Sequence, residues 1–167
     1  MADHPWNVLF LCSGNAARSI MAEAILRDAG KDRFHARSAG VNPLPEINPL
    51  AVEVLTLSGH DVSALHPKPM SEILGPDAPK MDFVFTVGDL AAGFDNSPWP
   101  GEPMTAHWGM ADPAEATGTE AEKGLAYAQA YAELHRRITA FAALPFAELE
   151  KVALQGHLDH IGTAPAT

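Results

Sequence analysis

Cys12 and Arg18 stand six positions apart in the run Cys12-Ser13-Gly14-Asn15-Ala16-Ala17-Arg18-Ser19, where a thiol and a guanidinium flank small residues. A cysteine without partners is more often a small buried hydrophobe than a nucleophile, so its neighbours must make the case for chemistry. Gly14 permits a close backbone approach or a positive φ, and Asn15 tolerates the left-handed region and can tie the loop through its side-chain amide. A loop of this length can wrap so that successive N–H groups point at one centre, with the positive end of a following helix dipole behind them. Arg18 adds a planar, permanently charged fork that can hold two oxygens of a tetrahedral anion. Ser19 can donate its hydroxyl to the sulfur. These groups together favour thiolate over thiol and make Cys12 nucleophilic at neutral pH. The chemistry they suit is attack by sulfur on a bound tetrahedral oxyanion.

Such a loop needs a strand before it and a helix after it, and both are legible. Asn7 to Leu11 is a short, nearly continuous apolar run, as in a buried strand of a parallel sheet. Met21, Ala24, Ile25 and the stem of Arg27 then fall near helical spacing, and Gly30 suits a C-terminal cap. A second strand is expected over Arg33 to Ser38. Asn48-Pro49 opens a helix with Leu50, Val54 and Leu57 on one face, ended by Gly59. Val62 to Pro79 contains four prolines and reads as loop, with a short helix around Ser71 to Leu74. Asp82 to Val87 is the clearest later strand and Met104 to Trp108 a further short one. A long helix is expected to start between Thr117 and Ala121 and to run to about Ala143, with Leu125, Ala128, Tyr131, Leu134, Ile138 and Phe141 inward. Strands alternating with helices imply an α/β fold with a parallel, doubly wound sheet, whose working site lies at the carboxyl ends of the strands. Cys12 occupies such an end.

With 167 residues, 47% hydrophobic and 19% charged, the chain fits one domain, expected over residues 1–155 with a flexible tail over 156–167. The formal charge of −10 repels phosphodiester backbones and anionic membranes, so neither nucleic acid nor membrane is an expected partner. The same field repels a small anionic substrate, and the anion site must supply its own attraction. No leader-like or membrane-spanning stretch is evident, and a cytoplasmic location is expected. A single cysteine excludes an internal disulfide and multi-cysteine zinc sites within these residues. His157, Asp159 and His160 lack companion ligands, so no metal is expected.

The run from Val8 through Cys12, Arg18 and Ser19 to Ala24 closely resembles the opening of the low-molecular-weight protein tyrosine phosphatase superfamily, especially its arsenate reductase branch. Ser38-Ala39-Gly40, the strand Asp82 to Val87 and His107-Trp108-Gly109-Met110-Ala111-Asp112-Pro113-Ala114 match that branch in order. The resemblance extends from about Asn7 to Phe141. It implies a three-layer α/β sandwich with a four-stranded parallel sheet, an anion-binding loop over Ser13 to Ser19, support of that loop by Asn15 and Ser38, and Asp112 as general acid. Without the resemblance, Asp112-Pro113 would read as a turn before the long helix.

Phosphate and arsenate share shape and charge, so two activities follow from the resemblance. One is reduction of arsenate to arsenite, in which a second thiol attacks the sulfur–arsenic adduct. The alternative is hydrolysis of phosphate monoesters through a cysteinyl phosphate. Ala114, where the resembling phosphatases commonly carry an aromatic residue, and the His107-Trp108-Gly109 lead-in favour the reductase. Thioredoxin-coupled members carry two further cysteines, in the regions of Val84 to Gly88 and Phe94 to Asn96, and this chain has neither. The second thiol is therefore expected from outside, as glutathione or an equivalent co-substrate, with a glutaredoxin-like protein restoring Cys12. No tightly bound cofactor is expected. Asn15, Glu23 and Ser38 match positions that form a monovalent cation site in some relatives. The acidic position near His66 to Pro69 is missing here, so potassium is not expected, Glu23 is read as ordering the first helix, and Ser38 as a hydrogen-bond partner of the loop. Trp99, Pro100 and Trp108 could wall the cleft near Asp112, although packing in the core is the stronger expectation for Trp108.

Overall fold

The computed structural model describes residues 5–12, 17–30, 33–40, 42–69, 72, 80–87, 103–110, 113–144 and 151–163. Four strands, β1 (Trp6–Cys12), β2 (Phe34–Gly40), β3 (Phe83–Thr86) and β4 (Met104–His107), form one sheet in the order β2-β1-β3-β4. All pairings are parallel, with Leu11 opposite Thr86, Thr86 opposite His107, and Cys12 opposite Gly40. β1 lies inside the sheet. The chain leaves it towards β2 on one side and returns to β3 on the other, so the end of β1 is the point where the connections diverge.

The alternation of the strands explains their placement. Val8, Phe10, Phe83 and Phe85 point into one continuous core with α1 (Arg18–Ala29), α3 (Glu120–Ala142) and α4 (Lys151–Thr163). Leu9, Leu11 and Val84 point to the opposite face and are also fully buried, so both faces of the sheet are covered, as the continuous apolar run of β1 requires. Phe85 is central to the first core, stacked on Trp108 with ring centroids 3.9 Å apart and edge-on to Phe141 at 5.0 Å. Burial of Trp108 follows the expectation from its size, and its indole N–H donates to the Leu158 carbonyl at 3.0 Å.

Several expectations about helix faces need correction. In α2 (Pro49–Leu57) the buried residues are Ala51 and Leu55, while Leu57 is exposed; Asn48 caps the helix by accepting from the Leu50 N–H at 2.9 Å. α3 begins with a capping box between Thr119 and Glu122 and buries Tyr127, Ala130, Leu134, Arg137, Ile138 and Phe141. Leu125 and Ala128 face solvent because the buried face at these turns is that of Tyr127 and Ala130, while Tyr131 is partly buried against the core. β2 extends two residues past Ser38, to Gly40, because its ladder with β1 continues to Cys12.

The C-terminal segment differs most from expectation. Residues from Gly156 to Thr163, expected within a flexible tail, continue helix α4, and Leu154, Leu158 and Ile161 are buried in the main core. The 3.6-residue spacing of these side chains provides an apolar stripe that outweighs the cost of Gly156 in a helix. The short helix expected around Ser71 to Leu74 lies outside the described residues apart from Glu72, as does Trp99-Pro100.

Candidate active site

β1 ends at Cys12 because the apolar run stops there, and α1 begins at Arg18, so the two groups singled out by spacing flank one strand-to-helix connection. Cys12 is 3% exposed and Arg18 9% exposed. The Cys12 sulfur lies 2.9 Å from the Ser19 hydroxyl oxygen, a side-chain contact within the buried base of the connection. Ala17 precedes α1 and cannot cap it with a side chain, and the first turn carries no acidic residue. Among the described residues, no acidic side chain in that turn offsets the positive end of the helix dipole.

Of the expected anion loop, Ala17, Arg18 and Ser19 are placed, whereas Ser13, Gly14, Asn15 and Ala16 lie outside the described residues, as does Asp112. The segment leading to Asp112 is nonetheless anchored at this site: the Arg18 guanidinium donates through Nη1 to the Met110 carbonyl at 3.2 Å. Pro113, immediately after Asp112, begins a short 3-10 turn over Pro113–Glu115, in which Pro113 is buried and Ala114 exposed. At the ends of the neighbouring strands, the His107 Nδ1 and Thr86 hydroxyl are 2.7 Å apart.

The loop residues that Ser38 was expected to support lie outside the described residues, and its side chain has a described partner on α1. Its hydroxyl donates to Glu23 Oε1 at 2.5 Å, so Glu23 joins α1 to β2 rather than ordering the first turn of its own helix. Lys68 lies 3.4 Å from the same Glu23 oxygen and donates to the His66 carbonyl at 3.0 Å. The stretch where an acidic residue was missing thus brings an ammonium to Glu23. His157, Asp159 and His160 lie on α4, with Asp159 accepting from Gln155, and no cluster of metal-binding side chains occurs among the described residues.

Two residues of this region escaped sequence reasoning. Lys68 sits in a proline-rich loop with no periodic signal. Arg137 is 5% exposed and donates to the carbonyls of Trp108 at 3.1 Å and Gly109 at 3.2 Å. A usable signal for Arg137 did exist, since it shares a helix face with Leu134, Ile138 and Phe141, where a charge is out of place. Burial works against its positive charge, and Glu133 one turn earlier partly compensates.

A strand end carrying the cysteine, an arginine opening the next helix and a four-stranded parallel sheet together define a phosphatase-like α/β fold. The model of the low molecular weight phosphotyrosine protein phosphatase family matches residues 7–154, and the chain belongs to that family. An arsenate reductase from Bacillus licheniformis is 37% identical over 138 residues, covering 81% of this chain and 94% of the relative. The solved structure of an arsenate reductase from Archaeoglobus fulgidus is 26% identical with a TM-score of 0.61, covering 82% of this chain and 99% of that one. The tyrosine phosphatase Wzb from Escherichia coli K30, solved with sulphate, shares the fold at 20% identity and a TM-score of 0.65, covering 85% of this chain and 97% of that one.

Proposed function

We propose that this protein reduces arsenate to arsenite through a covalent adduct on Cys12. The observation that carries this reading is the 2.9 Å approach of the Ser19 hydroxyl to the Cys12 sulfur, beside an α1 N-terminus opened by Arg18. With sulfur as thiolate, Ser19 is the donor, and the helix dipole and Arg18 supply the local attraction that the net charge of −10 denies an anion. The arsenate reductase relatives, which match over most of their length, support arsenate as the substrate.

The thiolate of Cys12 attacks arsenic, and one oxygen leaves as water after receiving a proton from Asp112. The resulting sulfur–arsenic bond must then break with its electron pair passing to arsenic, which takes arsenic from the pentavalent to the trivalent state. A thiolate attacking the Cys12 sulfur accomplishes this and forms a disulfide. With one cysteine in the chain, that thiolate comes from glutathione or a comparable small thiol, and a glutaredoxin-like protein then reduces the mixed disulfide on Cys12. This chemistry suits the thiol-rich cytoplasm.

The test compares arsenate-dependent NADPH consumption, coupled through glutathione, glutathione reductase and glutaredoxin, with hydrolysis of an aryl phosphate. Arsenate turnover in the first assay is expected to dominate, and Cys12→Ser to abolish it. Asp112→Asn is expected to slow adduct formation about 10²- to 10⁴-fold while leaving anion binding intact. Turnover of arsenate with thioredoxin, thioredoxin reductase and NADPH alone would count against the external small thiol. Efficient aryl phosphate hydrolysis without arsenate reduction would replace the reading with a phosphatase acting through a cysteinyl phosphate.

A further inference from the structure

β4 gives up its last ladder bond at Trp108, whose N–H donates to the Thr86 carbonyl at 2.7 Å. Beyond that point the chain has no strand partner to fix its direction, yet its next residues lead to Asp112. Three consecutive carbonyls here are held by guanidinium groups: Trp108 and Gly109 accept from Arg137, and Met110 accepts from Arg18. One arginine comes from the C-terminal part of α3 and the other from the first residue of α1. The segment is thus pinned from the core on one side and from the oxyanion site on the other.

We propose that Arg137 is a positioning residue that sets where the acid-bearing segment leaves the sheet, and so holds Asp112 in register with Cys12 and Arg18. The proposal rests on the assignment of Asp112 as general acid. Packing alone gives no reason for an arginine at position 137, because its neighbours on the helix face are Leu134, Ile138 and Phe141. A methionine or leucine would fill the space without burying a charge. The Arg137 Nε is buried without a hydrogen-bond partner, a cost that an apolar residue would avoid. What the guanidinium supplies there is one nitrogen, Nη1, that donates to two successive carbonyls, while Nη2 faces Glu133 at 3.5 Å and the rigid planar group fixes the direction between them. Met110 lies two residues from Asp112, a chain distance of at most about 7 Å, so the point where the segment leaves the sheet limits where the carboxyl can reach. A displacement of about 1 Å at a reacting group can cost about 10²-fold in rate.

The test is a double-mutant cycle between Arg137→Met and Asp112→Asn on arsenate reduction. Arg137→Met is expected to lower kcat at least tenfold with the KM for arsenate changed less than twofold. In the Asp112→Asn background the same substitution is expected to cost less than a further twofold, because the group it positions is already gone. Arg137→Lys, which keeps the charge and one donor nitrogen but loses the planar group and its contact with Glu133, is expected to recover part of the rate. It also serves as the cycle partner should the methionine variant fail to fold. Losses that multiply in the double variant, an unchanged kcat, or a loss confined to KM would each overturn the proposal. If the wild type hydrolyses aryl phosphates and reduces no arsenate, the assigned reaction fails while the cycle is read on hydrolysis with the same outcomes. A wild type that turns over neither removes the role of Asp112 and with it that of Arg137.

Discussion

On the proposed reading, the reactivity of Cys12 depends most directly on Ser19, whose hydroxyl is 2.9 Å from the sulfur. Leaving a buried hydrogen-bonding group without its partner costs about 1 to 3 kcal/mol, so Ser19→Ala is expected to slow attack by Cys12 roughly tenfold. Alkylation by iodoacetamide measures this without any substrate and is expected to fall in parallel with kcat. Unchanged alkylation would mean that the helix dipole and Arg18 suffice. At this scale the sequence was informative wherever residue type and spacing carry the chemistry, as for Cys12, Arg18 and Ser19. It was silent where a role arises from contacts across the fold. Glu23, Ser38 and Lys68 converge from α1, β2 and a loop, and nothing in their separate surroundings announces the meeting.

Helix α4 illustrates how an element can matter more than its composition suggests. Gly156 weakens it and the chain ends in Gly, Thr, Pro and Ala, which obscured the stripe of Leu154, Leu158 and Ile161 that packs it down. Leu158→Ala is expected to destabilise the protein by about 2 to 5 kcal/mol in denaturant unfolding, the usual cost of a cavity in a filled core. Trp108→Phe, which keeps much of the stack on Phe85 and loses the indole N–H to the Leu158 carbonyl, is expected to cost about 1 to 3 kcal/mol for that hydrogen bond and the smaller ring. The strands were easier to place because β1 and β3 are buried on both faces, and their continuous apolar runs leave one reading. The faces of α2 and α3 were right only in part: Leu50, Val54 and Tyr131 pack against the core but Leu57, Leu125 and Ala128 do not, because which edge of an apolar stripe is covered depends on where the neighbouring elements lie. Pattern alone cannot supply that placement.

Over the whole molecule, stability is tied together on the flank of the sheet away from the cysteine. His60 lies 2.6 Å from Asp28 and 2.6 Å from the Tyr131 hydroxyl, and so joins α1, the end of α2 and α3. The Arg27 hydrogen bond, followed by that of His60, holds the Asp28 carboxyl below its ordinary value of 3.8. A carboxyl depressed in this way favours the folded state above the unfolded value, and that contribution is lost as the pH falls through the lower folded value. Asp28→Asn is therefore expected to cost under about 1 kcal/mol at neutral pH, since the group is partly exposed, and the difference from the wild type is expected to shrink below pH 3.8. Urea titrations at pH 7 and pH 3 measure both. The outer margin of β4 has a consequence of another kind. Its Thr105 carbonyl, which faces away from β3, accepts the side-chain amide of Gln155 at 2.8 Å. An exposed strand border invites a second molecule to add its own strand, the first step of many aggregates. By laying α4 along that border and occupying its central acceptor, the chain guards itself against self-templating in a crowded cell.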